Sequence, residues 1–481
     1  MSGPFTAVAR KEIRALLPLW AATALTIVAD PLARGTGLHA LFPVGIFAYI
    51  VGSLALGAHA IGHEYTGRTL AMLLVQPWKR SSMLLAKTSA LLVTLVTLAL
   101  IAWPVLFHTT RRIVGDFPRY PTLLLPVLGG LCVAPYLTMR MRSQMAGVVF
   151  TAAIPGVTYL GVLLAGLSIY GIGSDAAEKL ATAVWSPAML IFSGAGAVLS
   201  ARSFMRLQAI DGGREELALP RWLTVVDRNP VRPPLWMLVK KELRLQQMTF
   251  ALVAVYAGIW AALMIASRLV PEFGSDLPVR AIGLLYFALL PLVMGSIASA
   301  QERQLGMLES QAMLPVPFAQ QWAVKAGVVL LLALVLGVLL PWFVFAPPQL
   351  SPGAVWPIAA SALLLTTWSL YLSSCSGSAI IALALVLPAT AAAMAIARWV
   401  DWIVTSTVPS GHALGTYAVM AQPSASFALL MITGTPIAAA LVAFAARNHR
   451  IPERSLRRVG GQMAFVAGLL FVIDALLTAL L

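Results

Sequence analysis

The chain has 481 residues, 59% of them hydrophobic and 11% charged, with a formal net charge of +15; an ordinary soluble domain carries about 25% charged residues. That balance excludes a typical soluble protein, and the absence of regular apolar–polar alternation in ~10-residue segments argues against a membrane barrel. The excess charge follows membrane topology rather than nucleic acid, because no basic, aromatic-interleaved domain lies outside the apolar runs.

In chain order, the first element predicted is a short amphipathic helix. On a 3.6-residue wheel Phe5, Val8, Ala9, Ile13 and Leu16 share one face, with Arg10, Lys11 and Arg14 opposite. A basic amphipathic helix of this kind is expected to lie in a membrane interface. No small-residue cleavage site follows, so the segment reads as retained. Six apolar runs come next, near residues 16–33, 40–61, 83–107, 121–139, 144–170 and 181–201, each long enough to cross ~30 Å of hydrocarbon as a helix. The stretch His63–Ser82 between the second and third is polar, with Gly67 and Pro77 interrupting helix.

A linker over 205–233 separates this first half, 1–204, from a second over 234–447. The second opens on another amphipathic helix, with Leu235, Leu238, Val239, Leu243 and Leu245 opposite Lys240, Lys241 and Arg244. Spans are expected near 248–267, 281–300, 323–346, 354–373, 377–397 and 426–446, and Gln301–Gln321, with Gly306, Pro315 and Pro317, is the polar segment. Between the last two of these spans, Trp399, Trp402 and Tyr417 stand among the breakers Pro409, Gly411, Gly415 and Pro423, an aromatic-belt composition. The remainder, 448–481, is a basic stretch followed by an apolar run from Gly461. Its Asp474 costs roughly 3 kcal/mol on insertion scales, so the run is either a thirteenth span or a packed, re-entrant helix.

The two halves repeat. Glu64, Leu70, Pro77 and Lys87 are separated by 6, 7 and 10 residues, and Glu302, Leu308, Pro315 and Lys325 by the same intervals, 238 positions later. Lys11, Glu12 and Arg14 return as Lys241, Glu242 and Arg244 after 230. The expected fold is therefore an all-α polytopic membrane protein of two tandem, parallel six-helix bundles, each preceded by an interfacial helix. With the N-terminus cytoplasmic, 25 of the 33 Lys and Arg fall on the cytoplasmic side; the others are Arg34, Arg111, Arg112, Arg119, Lys179, Arg268, Arg280 and Arg398. That asymmetry is the positive-inside rule.

Glu12 and Glu242 each fall within the apolar arc of their helix. An unpaired buried carboxylate is costly, so either each pairs with a basic group of the cytoplasmic segments, such as Lys87 or Lys325, or the helix rotates slightly and the carboxylate stays solvated. Cys132 and Cys375 lie in or beside apolar runs and offer no disulfide framework. His59 and His63 have a helical ligand spacing, but Ile297 and Gln301 replace them in half two, so no metal site is expected from the pair. No residue is marked as a nucleophile.

The runs Glu64-Tyr-Thr-Gly67-Arg-Thr69-Leu70, Pro77-Trp-Lys-Arg80 and Lys87 resemble the cytoplasmic signature of ABC type-2 permeases, the membrane subunits of type V exporter-like ATP-binding-cassette transporters. The second copy keeps Glu302, Gly306, Leu308, Pro315 and Lys325 but has Met307 and Phe318 in place of Thr69 and Arg80. The resemblance implies that Glu64–Lys87 and Glu302–Lys325 are ATPase-coupling segments in a fused pair of permease units. It also implies that Lys11, Glu12, Arg14, Lys241, Glu242 and Arg244 belong to interfacial helices, and that the external stretch from Arg398 to Ser424 lines an outer gate. Location in the cell inner (cytoplasmic) membrane and contact with two copies of a separate ATPase subunit follow from it. No G-x-x-x-x-G-K-[ST] loop is present, so ATP and Mg are expected on that partner and no cofactor on this chain. An ion-gradient-driven secondary transporter is the alternative, though its mechanism needs ionisable groups at mid-membrane; a membrane-embedded enzyme comes third.

Overall fold

The computed structural model describes residues 4–34, 44–66, 69, 72, 75, 78–113, 119–170, 175–207, 234–269, 276–307, 311, 313, 315–344, 355–386, 388–390, 423–451 and 455–480. Among these residues there are helices and turns and no strand. Six helices are long and apolar enough to cross a membrane: Gly45–Tyr65, Arg80–Pro104, Leu123–Met141, Ala183–Met205, Phe318–Phe343 and Val355–Cys375. A bent pair, Leu235–Leu245 with Gln247–Ala262, makes a seventh. By the length and composition of its helices this is a membrane protein; the six spans, or seven with the bent pair, are those among the described residues, where twelve or thirteen are expected of the whole chain. Two further apolar helical stretches are Gln144–Gly156, the start of a helix that runs on to Tyr170, and Ala379–Thr390.

The chain divides into two compact units, one of Met1–Pro233 with Ala261–Asp276, the other of Pro234–Trp260 with Leu277–Leu481. In the first unit, α1 (Pro4–Arg34) packs on α2 (Val44–Thr66) and α3 (Arg80–Ile113). Next come α4 (Arg119–Leu128), a π-helical turn at Gly129–Val133, α5 (Ala134–Met141), α6 (Gln144–Tyr170) and α7 (Asp175–Met205). The π turn brings two backbones together: a Cβ on Gly57 would stand 1.9 Å from the Gly130 carbonyl oxygen, and one on Gly130 2.4 Å from that of Ser53. Small residues permit close approach where lipid offers no hydrophobic drive for helices to associate. Two turns beyond Gly57 lies Glu64, so this crossing sets where that carboxylate sits. Ile61, Met83, Met139 and Phe204 form an apolar plug beside it, with Tyr65 and Trp78 against the plug.

In the second unit the entry helix is broken. Here α8 (Pro234–Leu245) and α9 (Gln247–Leu269) meet at Gln246, and the pair is bent by 52°. In the first unit α1 runs unbroken through the matching position, so the separate interfacial helix expected there is instead the first turns of a 31-residue helix. The physical difference is one residue. Leu16 is a fully buried apolar side chain, whereas Gln246 is a buried amide that donates to the Met294 carbonyl (3.1 Å) and accepts from Thr249 Oγ1 (2.6 Å).

The unit continues through α10 (Asp276–Gln304), α11 (Phe318–Leu334), a π segment at Val335–Leu339, α12 (Leu340–Val344), α13 (Val355–Cys375), α14 (Pro423–Arg450) and α15 (Leu456–Leu480). Its core is formed by Tyr256 stacked on Tyr286 at 3.9 Å, with Leu290, Met294, Val329, Leu370 and Leu441. A Cβ on Gly295 would lie 1.9 Å from Ser369 Oγ and 2.6 Å from the Thr366 carbonyl oxygen, which repeats the close crossing at the position 238 residues after Gly57.

The C-terminal run is a 25-residue helix, Leu456–Leu480, whose Val466 lies in this core. Gln462 of α15 exchanges hydrogen bonds with Asn448 of α14 (2.9 and 3.1 Å) and accepts one from Tyr371 OH (3.0 Å), all three residues being buried. Replacing Gln462 with leucine strands those partners in an apolar setting. Thermal unfolding in detergent is expected to register a loss of about 2 kcal/mol; an unchanged midpoint would mean that α15 is held by apolar contact alone. The Asp474 side chain, most of the 205–233 linker and the Gly411–Gln422 stretch lie outside the described residues.

Candidate functional site

The charged residues singled out from sequence converge, within each unit, on one buried cluster. In the first unit Lys87 Nζ, from α3, lies 2.8 Å from Glu12 of α1 and 3.1 Å from Glu64 of α2. It also donates to the Ala60 carbonyl at 3.5 Å. Lys11 reaches Glu64 at 3.4 Å, and Thr69 Oγ1 donates to the second Glu64 oxygen. The pairing expected for Glu12 is therefore present, and Glu64 shares the same ammonium. All three carboxylate and ammonium groups at its centre are buried.

The second unit repeats the arrangement. Lys325 Nζ lies 3.1 Å from Glu242 and 2.7 Å from Glu302, and donates to the Ala298 carbonyl at 3.0 Å. Ala298 is the counterpart of Ala60 at the 238-residue offset. Lys241 pairs with Glu302 and, at 3.3 Å, with Glu242. Burial on its own raises the carboxyl of Glu302, which stands beyond the apolar run ending at 300, but Lys325 and Lys241 outweigh it and hold it down at about 2.

Local geometry explains why these side chains meet. Each glutamate closes the C-terminal turn of its helix, where the amide of Thr69 donates to the Glu64 carbonyl and that of Met307 to the Glu302 carbonyl, both at 3.0 Å. Both bonds join residues five apart, the outer bond of a Schellman cap. In the second unit Gly306 supplies the left-handed residue, at φ 66. Met307 cannot replace the Thr69 hydroxyl. Gln311 does so from further along, donating to Glu302 Oε1 at 2.7 Å.

The clusters are internal latches. Glu64, Lys87, Glu302 and Lys325 bound the two segments expected to couple to an ATPase, and their side chains point inward and pair with one another. Among the described residues the segments turn outward both polar side chains, such as Lys79 and Ser81, and apolar ones: Met72, Val75 and Met313 are exposed, and Val75 at 82% and Met313 at 87% exceed every other large apolar side chain described. These two positions are again 238 apart. Pro315 is exposed as well, Arg14 and Arg244 lie on open helix faces, and Gly67, Leu70, Pro77 and Leu308 fall outside the described residues.

Residues beyond those singled out complete the sites. His63 Nε2 lies 3.3 Å from Glu64 and 3.7 Å from Glu12. His449 approaches Glu302 at 3.6 Å and contacts Ser299 Oγ at 2.7 Å. Ser299, His449 and Glu302 thus form a serine–histidine–carboxylate chain, yet all three are buried, and Glu302 is also held by two lysines and an amide. The three residues tie α14 to the end of α10. His449 had no signal in the repeat, because it enters from a helix about 150 residues away. Gly57 and Gly295 did carry one in their shared offset.

No family model, curated protein or solved structure matches this chain.

Proposed function

We propose that this chain is the membrane-spanning permease subunit of an ATP-driven exporter of the ATP-binding-cassette type, with both permease halves fused in one polypeptide. In this reading the N-terminus is cytoplasmic in an inner membrane, and the two halves are tandem six-helix bundles with the substrate pathway between them. ATP and Mg are bound by two copies of a separate ATPase. The observation that carries the proposal is the duplicated polar segment: at matched positions each is latched to its entry helix by the same glutamate–lysine–glutamate set, and each presents an exposed apolar residue, Val75 or Met313. A loop that only joins two spans has no need of either feature. A segment that transmits the motion of a docked partner needs both, a rigid anchor and an apolar contact.

The test is to purify the intact chain gently from its native membrane and to probe the co-purifying proteins for an ATPase of the cassette type. Two such subunits per chain are expected. The double variant Val75→Asp, Met313→Asp is expected to release them while leaving thermal unfolding of the purified chain unchanged, because both side chains are exposed. Glu64→Lys is not a clean probe, since it breaks the buried latch. Purification with no ATPase, together with uptake or export by the reconstituted chain driven by a proton gradient alone, would sink the proposal in favour of a secondary transporter.

A further inference from the structure

The two latches differ in one respect. In the second unit Lys241 pairs with both carboxylates, and its side chain is only 25% exposed. Its counterpart Lys11 touches Glu64 alone and is 57% exposed. Glu12 Oε2 consequently has no hydrogen-bond partner among the described residues, although Glu12 is buried. In the first unit two buried carboxylates face one buried ammonium, and the second lysine, Lys11, reaches Glu64 from a largely exposed position and not Glu12.

His63 stands where the second cation does not reach. Its Nδ1 is 2.9 Å from the His59 carbonyl oxygen, which only accepts, so Nδ1 carries a proton, and in the neutral imidazole Nε2 then presents a lone pair. Nε2 faces Glu64 Oε1 and Glu12 Oε2 at 3.3 and 3.7 Å and is hydrogen-bonded to neither. The three ligand atoms lie within 4.8 Å of one another. Zinc–ligand bonds of about 2.0–2.2 Å set neighbouring ligands in a tetrahedron about 3.3 Å apart. Fixing an imidazole through Nδ1–H to a backbone carbonyl is the usual outer support of a metal-bound histidine.

We propose that Glu12, His63 and Glu64 bind a divalent transition-metal ion of the zinc class in the first unit. Glu12 contributes Oε2, His63 Nε2 and Glu64 Oε1; Lys87 keeps its contact with Glu12 Oε1. His63 is the partly exposed member of the set, so the ion enters from its side and water supplies the fourth ligand. The ion ties the start of α1 to the end of α2. The second unit has no such site, because Lys241 already bridges its carboxylates and Gln301 stands in place of His63.

The test uses the full-length protein in detergent, stripped with a chelator and then titrated with Zn2+ alone. One ion per chain is expected. His63→Ala leaves the glutamate–lysine pairs intact and is expected to weaken that binding by at least about 100-fold, since even loss of an outer support costs 10–100-fold. His449→Gln is expected to leave it unchanged. Co2+ provides a second readout, a visible ligand-field band present in the wild type and in His449→Gln and absent in His63→Ala. The proposal is overturned if the chain takes up no Zn2+ or Co2+, or if His63→Ala binds them as the wild type does. In the first case a protonated His63 closes the gap; in the second the ions bind elsewhere.

Discussion

Lys87→Met is expected to destabilise the protein by about 3–5 kcal/mol, because it removes the shared cation of two buried carboxylates, leaving Glu12 with no lysine and Glu64 with only the half-exposed Lys11. The same substitution at Lys325 is expected to cost less. Lys241 still contacts Glu242 and Glu302, whereas Lys11 touches only Glu64 and leaves Glu12 alone. The two variants, compared by thermal unfolding in one detergent, therefore report which latch has a second cation in reserve. The triple variant Glu12→Gln, Glu64→Gln, Lys87→Met should recover much of the loss, since a neutral cluster of the same shape no longer buries charge. Equal midpoints for Lys87→Met and the wild type would show that these carboxylates are solvated after all.

Much of this latch was legible in the sequence. Glu12 and Glu242 broke the apolar arc of an otherwise regular amphipathic helix, and a carboxylate in that position needs a cation. The repeated spacing from Glu64 to Lys87 pointed to the cation. The sequence could not show that Glu64 and Glu302 share it, because their outward or inward orientation depends on how the last turn of each helix is capped. The break at Gln246 was hidden for a related reason: its amide bonds a carbonyl 48 residues away, and that tertiary contact overrides the local pattern. His63 was visible only as a neighbour of His59. Its alignment with Glu12 requires the chain to return across more than fifty residues.

Beneath the latch, the geometry depends on a glycine. Gly57→Ala would place a methyl group 1.9 Å from a main-chain carbonyl oxygen, that of Gly130. Backbone cannot rotate aside as a side chain does, so α2 and the π turn must separate. An overpacked site of this kind costs about 3 kcal/mol. Glu64 lies seven residues along α2, two turns from the contact, and the separation carries it away from Lys87. The expected result is a variant that unfolds at markedly lower temperature. Gly295→Ala should be milder, because its nearest neighbour is the Ser369 hydroxyl, which can turn, although the Thr366 carbonyl at 2.6 Å still forces some displacement. Gly156→Ala is the matched control. Nothing lies within 4 Å of a Cβ there, and alanine's better helix propensity makes that variant equal to or more stable than the parent by up to about 1 kcal/mol. If Gly57→Ala unfolded with the control rather than well below it, the close crossing would not be what positions Glu64.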